Sequence, residues 1–252
     1  MDNANKVVIV TGAGRPWGLG RATAELFADH GFSVAVVDIR DDWGEAAAKV
    51  IRDKGQKSLY VHTDLQRRED VQATVDRVIK EFGRVDVLAN VAAICPRERV
   101  ADLKVETFDQ VIRTNLLGPM LTSQAVLKPM RAQKGGRIIN VASGAALRPY
   151  EAGSIYGASK AGLVQFSKVL AIEEAPNNIV VTVVAPGYMH TAMGRESAPN
   201  EEDFQDGSVG QPFGRPLYPI EVAEVIVLAA TVTSHALTGQ TLHARGGAQP
   251  MV

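Results

Sequence analysis

Cysteine is almost absent from this chain: Cys95 stands alone among 252 residues, so no intrachain disulfide can staple the fold. Histidine is scarce too. The five, at positions 30, 62, 190, 235 and 243, show no metal-ligand spacing, and no metal is expected. Neither charge sign dominates: 27 basic residues meet 28 acidic ones. That balance argues against a nucleic-acid or anionic-lipid partner. No apolar run approaches the ~20 residues that span a bilayer. The opening run, Val7–Val10, is too short for a secretory h-region and meets a glycine-rich turn. The expectation is a soluble, cytoplasmic protein. No nucleophile elbow or P-loop is present, which argues against a hydrolase or a nucleoside triphosphatase.

What the chain does have is alternation. Val7–Val10, Ser33–Val37, Ser58–Val61, Val85–Ala89, Arg137–Val141 and Ile179–Val184 read as strands. Between them, Gly20–His30, Gly44–Lys54, Arg68–Phe82, Leu103–Arg131 and Tyr156–Glu174 carry apolar residues at helical spacing. Gly31, Gly55 and Gly83 stand where helix C-caps are expected, and Asp102 is a candidate N-cap for the fourth helix. Such alternation predicts an α/β fold, a doubly wound and mostly parallel sheet with helices on both faces. With no linker or repeat visible, residues 1–252 read as one domain. The least regular stretch, 191–219, reads either as a solvated loop or as a lid over substrate.

The first strand runs into Thr11-Gly12-Ala13-Gly14-Arg15-Pro16-Trp17-Gly18-Leu19-Gly20 and then a helix. In that context glycines let the backbone approach a pyrophosphate at the helix N-terminus. Asp38 ends the second strand, where a carboxylate can accept hydrogen bonds from an adenosine ribose and repel a 2′-phosphate. NAD is therefore favoured over NADP, although Arg15 and Arg40 offer partners for a 2′-phosphate.

Farther on, Tyr156 and Lys160 are four residues apart on a helical stretch, and Ser143 precedes the tyrosine by thirteen residues at a strand end. Residues four apart share a helix face. A phenol is a weak base at neutral pH, and a nearby ammonium favours its ionised form.

With these motifs in this order, the sequence resembles the short-chain dehydrogenase/reductase family in its compact, single-domain Rossmann form. The resemblance covers nearly the whole chain. Tyr156 and Lys160 match the family's Tyr-x-x-x-Lys pair, Ser143 its catalytic serine, and Asn115 in Thr-Asn-Leu-Leu-Gly its helix asparagine. It implies that Tyr156 exchanges a proton with the substrate oxygen and that Lys160 binds the nicotinamide ribose and depresses the tyrosine pKa. It further implies that Ser143 hydrogen-bonds the reacting oxygen, while Asn115 holds a water linking Lys160 to solvent. Hydride would pass directly between substrate carbon and nicotinamide.

Cofactor contacts implied by the resemblance fall on Gly12, Gly14, Arg15, Trp17, Gly18, Leu19 and Gly20, and on Asp38. They continue at Asp64 and Leu65 near the adenine and at Asn90, Val91 and Ala92. Tyr156 and Lys160 follow, and Pro186, Gly187, Met189 and Thr191 would cradle the carboxamide. Three departures stand out. Five residues rather than three separate Gly12 from Gly18. Val91 and Ala93 replace the usual asparagine and glycine. Arg245 stands where aspartate is common before Gly246-Gly247.

By the same resemblance, Arg97, Arg148, Tyr150, His190 and Met193 are candidates for contact with substrate. Their polarity suggests a polyhydroxylated or anionic substrate; the alternative is that the arginines point to solvent. The leading reading is an NAD-dependent oxidoreductase, a dehydrogenase of a polar alcohol, sugar or hydroxy acid. A 3-oxoacyl-thioester (acyl carrier protein) reductase using NADPH is the alternative, and a non-catalytic NAD-binding scaffold or redox sensor is a third. Relatives imply a homotetramer, with a dimer as fallback, built through Leu103–Arg131, Tyr156–Glu174 and a C-terminal strand near Thr238–Ala244.

Overall fold

The apolar runs become the strands of one parallel sheet. The computed structural model describes residues 5–197 and 212–247. In chain order the strands are β1 (Val7–Thr11), β2 (Ser33–Asp38), β3 (Ser58–His62), β4 (Val87–Asn90), β5 (Gly136–Val141), β6 (Ile179–Pro186) and β7 (Thr241–Ala244). Across the sheet the order is β3-β2-β1-β4-β5-β6-β7, with every pairing parallel. The order reverses between β1 and β4. At such a switch point the connections leave on opposite faces, and a crevice opens beyond the carboxyl ends of the strands.

The helices are α1 (Leu19–Asp29), α2 (Asp41–Asp53), α3 (Arg68–Phe82), α4 (Val105–Ile112), α5 (Gly118–Ala132), α6 (Ser154–Glu174), α7 (Ala192–Ser197) and α8 (Pro219–Thr231). Successive strand residues face opposite ways, so the sheet feeds two cores. Val8, Val10, Val34 and Val36 pack with Phe27 of α1, Ile51 of α2 and Ile226 of α8. Their neighbours Val7, Ile9, Ala35 and Val37 pack with Val75 of α3, Met130 of α5 and Leu170 of α6. Burial on both faces is why these strands are nearly continuous apolar runs rather than alternating ones.

Gly31, Gly55 and Gly83 follow α1, α2 and α3 with φ of 86°, 83° and 80°, the left-handed conformation expected of C-terminal caps. Three details differ from the sequence expectation. The predicted helix Leu103–Arg131 starts at Val105 and is divided by a π turn at Arg113–Leu117, where the Gly118 N–H reaches the Arg113 carbonyl. Asp102 does not cap it. It lies in a short 3-10 turn, and Glu98 instead accepts from the Lys104 N–H at 3.0 Å and from the Thr107 hydroxyl at 2.8 Å. Finally, α8 was not anticipated. Its Val222, Ala223 and Ile226 are fully buried in the core shared with α1 and α2. Of the proposed 191–219 lid, residues 198–211 lie outside the described residues. Its described ends are α7 and a short return in which Leu217 pairs with Tyr188 and His190.

Candidate active site

The glycine turn is built for backbone proximity. Gly12 has φ of 64°, and a Cβ there would lie 2.7 Å from the Ala92 Cα. At Gly20 a Cβ would lie 2.1 Å from the Gly12 carbonyl oxygen, so the start of α1 presses directly on the turn. The Thr11 hydroxyl ties β1 to the segment after β4 by accepting from the Val91 and Ala92 N–H groups at 3.0 and 3.2 Å. The two extra residues of the turn project outward: Trp17 has φ of 53° and is 87% exposed.

A cleft of about 920 Å³ opens at the carboxyl ends of the strands. At one end it is lined by Gly12, Arg15, Gly18, Leu19, Gly20 and Asp38, with Asp64, Leu65, Val91 and Ala92 beyond them. Ser143, Tyr156 and Lys160 line the other end, beside Pro186, Gly187, Met189 and Thr191. Of the substrate candidates, Arg97, Arg148, Tyr150 and Met193 line it as well. Gly14, Trp17, Asn90, Asn115 and His190 are not on its wall. The His190 ring instead lies 6.0 Å from that of Tyr218.

Gly14 and Asn115, set back from the wall, each hold a residue that is on it. The Gly14 N–H donates to Asp38 Oδ2 at 2.8 Å, and the Arg40 N–H donates to Oδ1 at 3.0 Å. The Asp38 carboxylate is thereby fixed at the cleft edge. Arg40 is engaged with Asp42 and lies over the Trp43 ring at 4.4 Å, while Arg15 pairs with Glu196 of α7. Asn90 belongs to a buried polar chain. It accepts from the Thr122 hydroxyl at 2.7 Å and donates to Asn140 at 2.8 Å, and Asn140 donates to Ser167 at 2.8 Å. That chain spans α5, β4, β5 and α6 beneath the site, where satisfied polar groups specify one packing.

Asn115 sits in the π turn and is fully buried. Its amide exchanges two hydrogen bonds with the Ile94 backbone, each 2.9 Å, and donates to the Ser159 hydroxyl at 3.2 Å. A π turn shifts the backbone bonding by one residue and recurs at functional sites. Here it docks the α4–α5 helix against α6 one residue from Lys160.

Tyr156 lies in the first turn of α6 and is 8% exposed. Burial, reinforced by the nearby Cys95, pushes its phenol above the ordinary tyrosine range, and a hydrogen bond with Ser143 opposes this. Lys160 is 2% exposed; its Nζ donates to the Val141 carbonyl at 2.8 Å and stands 5.8 Å from the Tyr156 ring centre. Burial lowers its pKa from 10.5 to about 8. Burial thus favours the neutral, proton-bearing form of the phenol.

A lysine whose folded pKa lies below its unfolded one binds fewer protons when folded, so stability rises with pH between about 8 and 10.5. The net cost of carrying this buried charge at pH 7 is on the order of 3 kcal/mol. Lys160→Met is accordingly expected to raise the melting temperature at pH 7 by several degrees, a gain that fades by pH 10.5. Thermal melts across that range check it; a variant destabilised equally at every pH would contradict it.

The seven-stranded parallel sheet with helices on both faces agrees with the comparisons to known proteins. Residues 6–202 match the family model for short chain dehydrogenases. The chain belongs to the short-chain dehydrogenase/reductase family. Similar proteins include an NAD-dependent glycerol dehydrogenase of Listeria innocua, 33% identical over 96% of this chain and 93% of the relative. A human 3-oxoacyl-[acyl-carrier-protein] reductase is 39% identical over 97% and 98%. The short-chain reductase protein NovJ of Streptomyces niveus is 36% identical over 96% and 93%.

As a family member the chain is an oxidoreductase using NAD(P), and no described helix is long and apolar enough to cross a membrane. Sequence reasoning passed over Trp43, which stacks with Arg40 at the Asp38 end of the cleft, and the supporting Thr122 and Ser167. The run Asp41-Asp42-Trp43 after β2 was the available signal for the first. The others carried none, being small polar residues within helices.

Proposed function

We propose that this chain is an NAD-dependent dehydrogenase interconverting the hydroxyl and carbonyl of a small polar substrate. The observation that carries the reading is the convergence of Ser143, Tyr156 and Lys160 on one wall of a cleft whose far wall is the glycine turn. The residues present fit a dinucleotide. Gly12 and Gly20 leave backbone where a Cβ would clash, and the start of α1 supplies N–H groups for a pyrophosphate. Asp38 would take the adenosine ribose, Asp64 and Leu65 would border the adenine, and Pro186, Gly187 and Thr191 would hold the carboxamide.

When bound, the nicotinamide supplies or accepts the hydride. Tyr156 moves the proton at the substrate oxygen, and Ser143 holds that oxygen by a hydrogen bond. Lys160, anchored on Val141, places positive charge beside the phenol and the ribose. Asn115 positions α6 through Ser159. This division of labour leaves orientation and proton transfer to the protein.

Asp38 supports NAD, because its carboxylate, held by the Gly14 and Arg40 N–H groups, would accept from an adenosine ribose and oppose a 2′-phosphate. Calorimetric titration should give at least about tenfold tighter binding of NADH than of NADPH, an order of magnitude consistent with one partly screened charge repulsion. The opposite ranking would remove this reading and favour the alternative, a 3-oxoacyl-thioester reductase using NADPH, which the acyl-carrier-protein reductases among the similar proteins support.

A further inference from the structure

The substrate end of the cleft holds a phenol that the mechanism above does not use. Tyr150 follows β5 and the short turn Gly144–Ala146, and it shares the cleft wall with Ser143 and Tyr156. Its ring is held in place. A Cβ at Gly153 would lie 2.4 to 2.8 Å from three of its ring atoms, so the ring packs where only glycine fits. The Arg97 guanidinium stands 5.6 Å from the ring centre and donates to the Glu151 carbonyl at 3.0 Å. A phenol oxygen is rigidly attached to its ring, so these contacts also place the hydroxyl.

That hydroxyl is weakly satisfied. Its hydrogen bond is with the Cys95 sulfur, at 3.4 Å, and a thiol is both a weak donor and a weak acceptor. Cys95 lines the cleft as well. Burial is the main influence on both groups and favours their uncharged forms, raising the phenol and the thiol above their ordinary ranges. Tyr150 and Cys95 lie within electrostatic reach of Tyr156, and Cys95 within reach of Lys160. Ser143 and Tyr156 are matched to one substrate oxygen. Beside them stands a second polar position, made of two neutral groups that each donate and accept.

We propose that the Tyr150 hydroxyl hydrogen-bonds a second hydroxyl of the substrate, close to the reacting carbon, and so selects short diols and the matching hydroxyketones. This rests on the dehydrogenase reading and names its substrate class. An alcohol oxygen accepts more strongly than sulfur, so the Tyr150 hydroxyl gains by exchanging Cys95 for substrate. A site built to hydrogen-bond a substrate hydroxyl discriminates against the analogue that lacks it. The thiol remains as a partner when that analogue binds, so the preference has the size of one neutral hydrogen bond rather than of an orphaned polar group. A neutral pair matches an uncharged hydroxyl, whereas a carboxylate calls for a cation.

The test uses NADH-loaded enzyme and two ketone pairs that differ by one hydroxyl: hydroxyacetone with acetone, and acetoin with butanone. The hydroxyl also draws electrons from the carbonyl, but that effect is the same for every enzyme variant. What is compared is therefore the ratio of kcat/KM within a pair, before and after substitution. Tyr150→Phe should lower the ratio about tenfold, the size of one neutral hydrogen bond, through loss on the hydroxyketone. It keeps the ring and its contacts with Gly153 and Arg97. Cys95→Ala should leave the ratio within about threefold, because the thiol is only the hydroxyl's resting partner. An unchanged ratio in Tyr150→Phe overturns the proposal, as does an equal fall in both members of each pair, or a loss in Cys95→Ala as large as that in Tyr150→Phe.

NADH binding and a thermal melt report folding. Should Tyr150→Phe not fold, the wild-type ratio decides, and a ratio near one overturns the proposal. A loss on pyruvate in Tyr150→Phe as large as that on hydroxyacetone would make the position an anion site and also overturn it. Turnover of the ketones with a ratio indifferent to Tyr150 sinks only this inference. No oxidation of NADH with any of them, by enzyme that binds NADH, sinks the dehydrogenase reading and this inference with it.

Discussion

Tyr156→Phe is expected to lower kcat roughly 10²–10⁴-fold, the usual worth of a positioned general acid–base group, with little change in NADH affinity or melting temperature. The substitution removes one hydroxyl from a side chain that is 8% exposed and otherwise packed through its ring. No burial is lost. The phenol oxygen's recorded protein contact is with Ser143, whose hydroxyl also accepts from the Ala145 N–H at 3.1 Å and so keeps its place. Loss of turnover with retained cofactor binding is the signature of a group that acts on the reacting oxygen. Transient and steady-state absorbance of reduced nicotinamide reads both quantities. A variant within threefold of wild type would remove Tyr156 from the chemistry.

Gly20→Ala is expected to have the largest effect on the fold. A methyl there would sit 2.1 Å from the Gly12 carbonyl oxygen and 2.7 Å from its carbonyl carbon, so either the turn or α1 must shift. Neither can move freely. Gly12 is itself 2.7 Å, measured from its own absent Cβ position, from the Ala92 Cα. Ala24 and Phe27 of α1 are fully buried against the sheet. A forced shift in a packed interior costs about 1–3 kcal/mol and occasionally more, and it displaces the N–H groups proposed to hold a pyrophosphate. The expected outcome is a fall in melting temperature of several degrees and at least about tenfold weaker NADH binding. Wild-type stability and affinity in this variant would contradict the role assigned to the turn.

How far the sequence anticipated the structure depends on the kind of interaction. Parallel strands buried on both faces must be apolar throughout, so Val34–Val37 and Val180–Val184 announce themselves. Gly31, Gly55 and Gly83 mark helix ends because a left-handed residue is needed there. The π turn at Arg113–Leu117 is different: one shifted hydrogen bond leaves the apolar period nearly intact, and the stretch reads as one helix. Helix α8 is apolar on most of its surface, with little contrast between faces, and its helical period is correspondingly weak.

The same distinction holds within the site. Ser143, Tyr156 and Lys160 were legible because their spacing is local to α6 and the end of β5. Asn90 was read as a cofactor contact by its motif, yet its side chain is committed to Asn140 and Thr122 behind the cleft wall. Arg245 was visible only as a departure. Its burial depends on the missing side chains of Gly144 and Gly187, residues about a hundred and about sixty positions away, and no local pattern encodes that.

The most direct test of the central claim is turnover by the unmodified protein, followed through the absorbance of reduced nicotinamide. NADH and NADPH would be offered in turn with short oxo acids, their amides, small ketoses and 3-oxoacyl thioesters. The account predicts oxidation of NADH in preference to NADPH, fastest with a small polar oxo compound. Tight NADH binding with no oxidation across the whole set would contradict it and leave a dinucleotide-binding scaffold in its place.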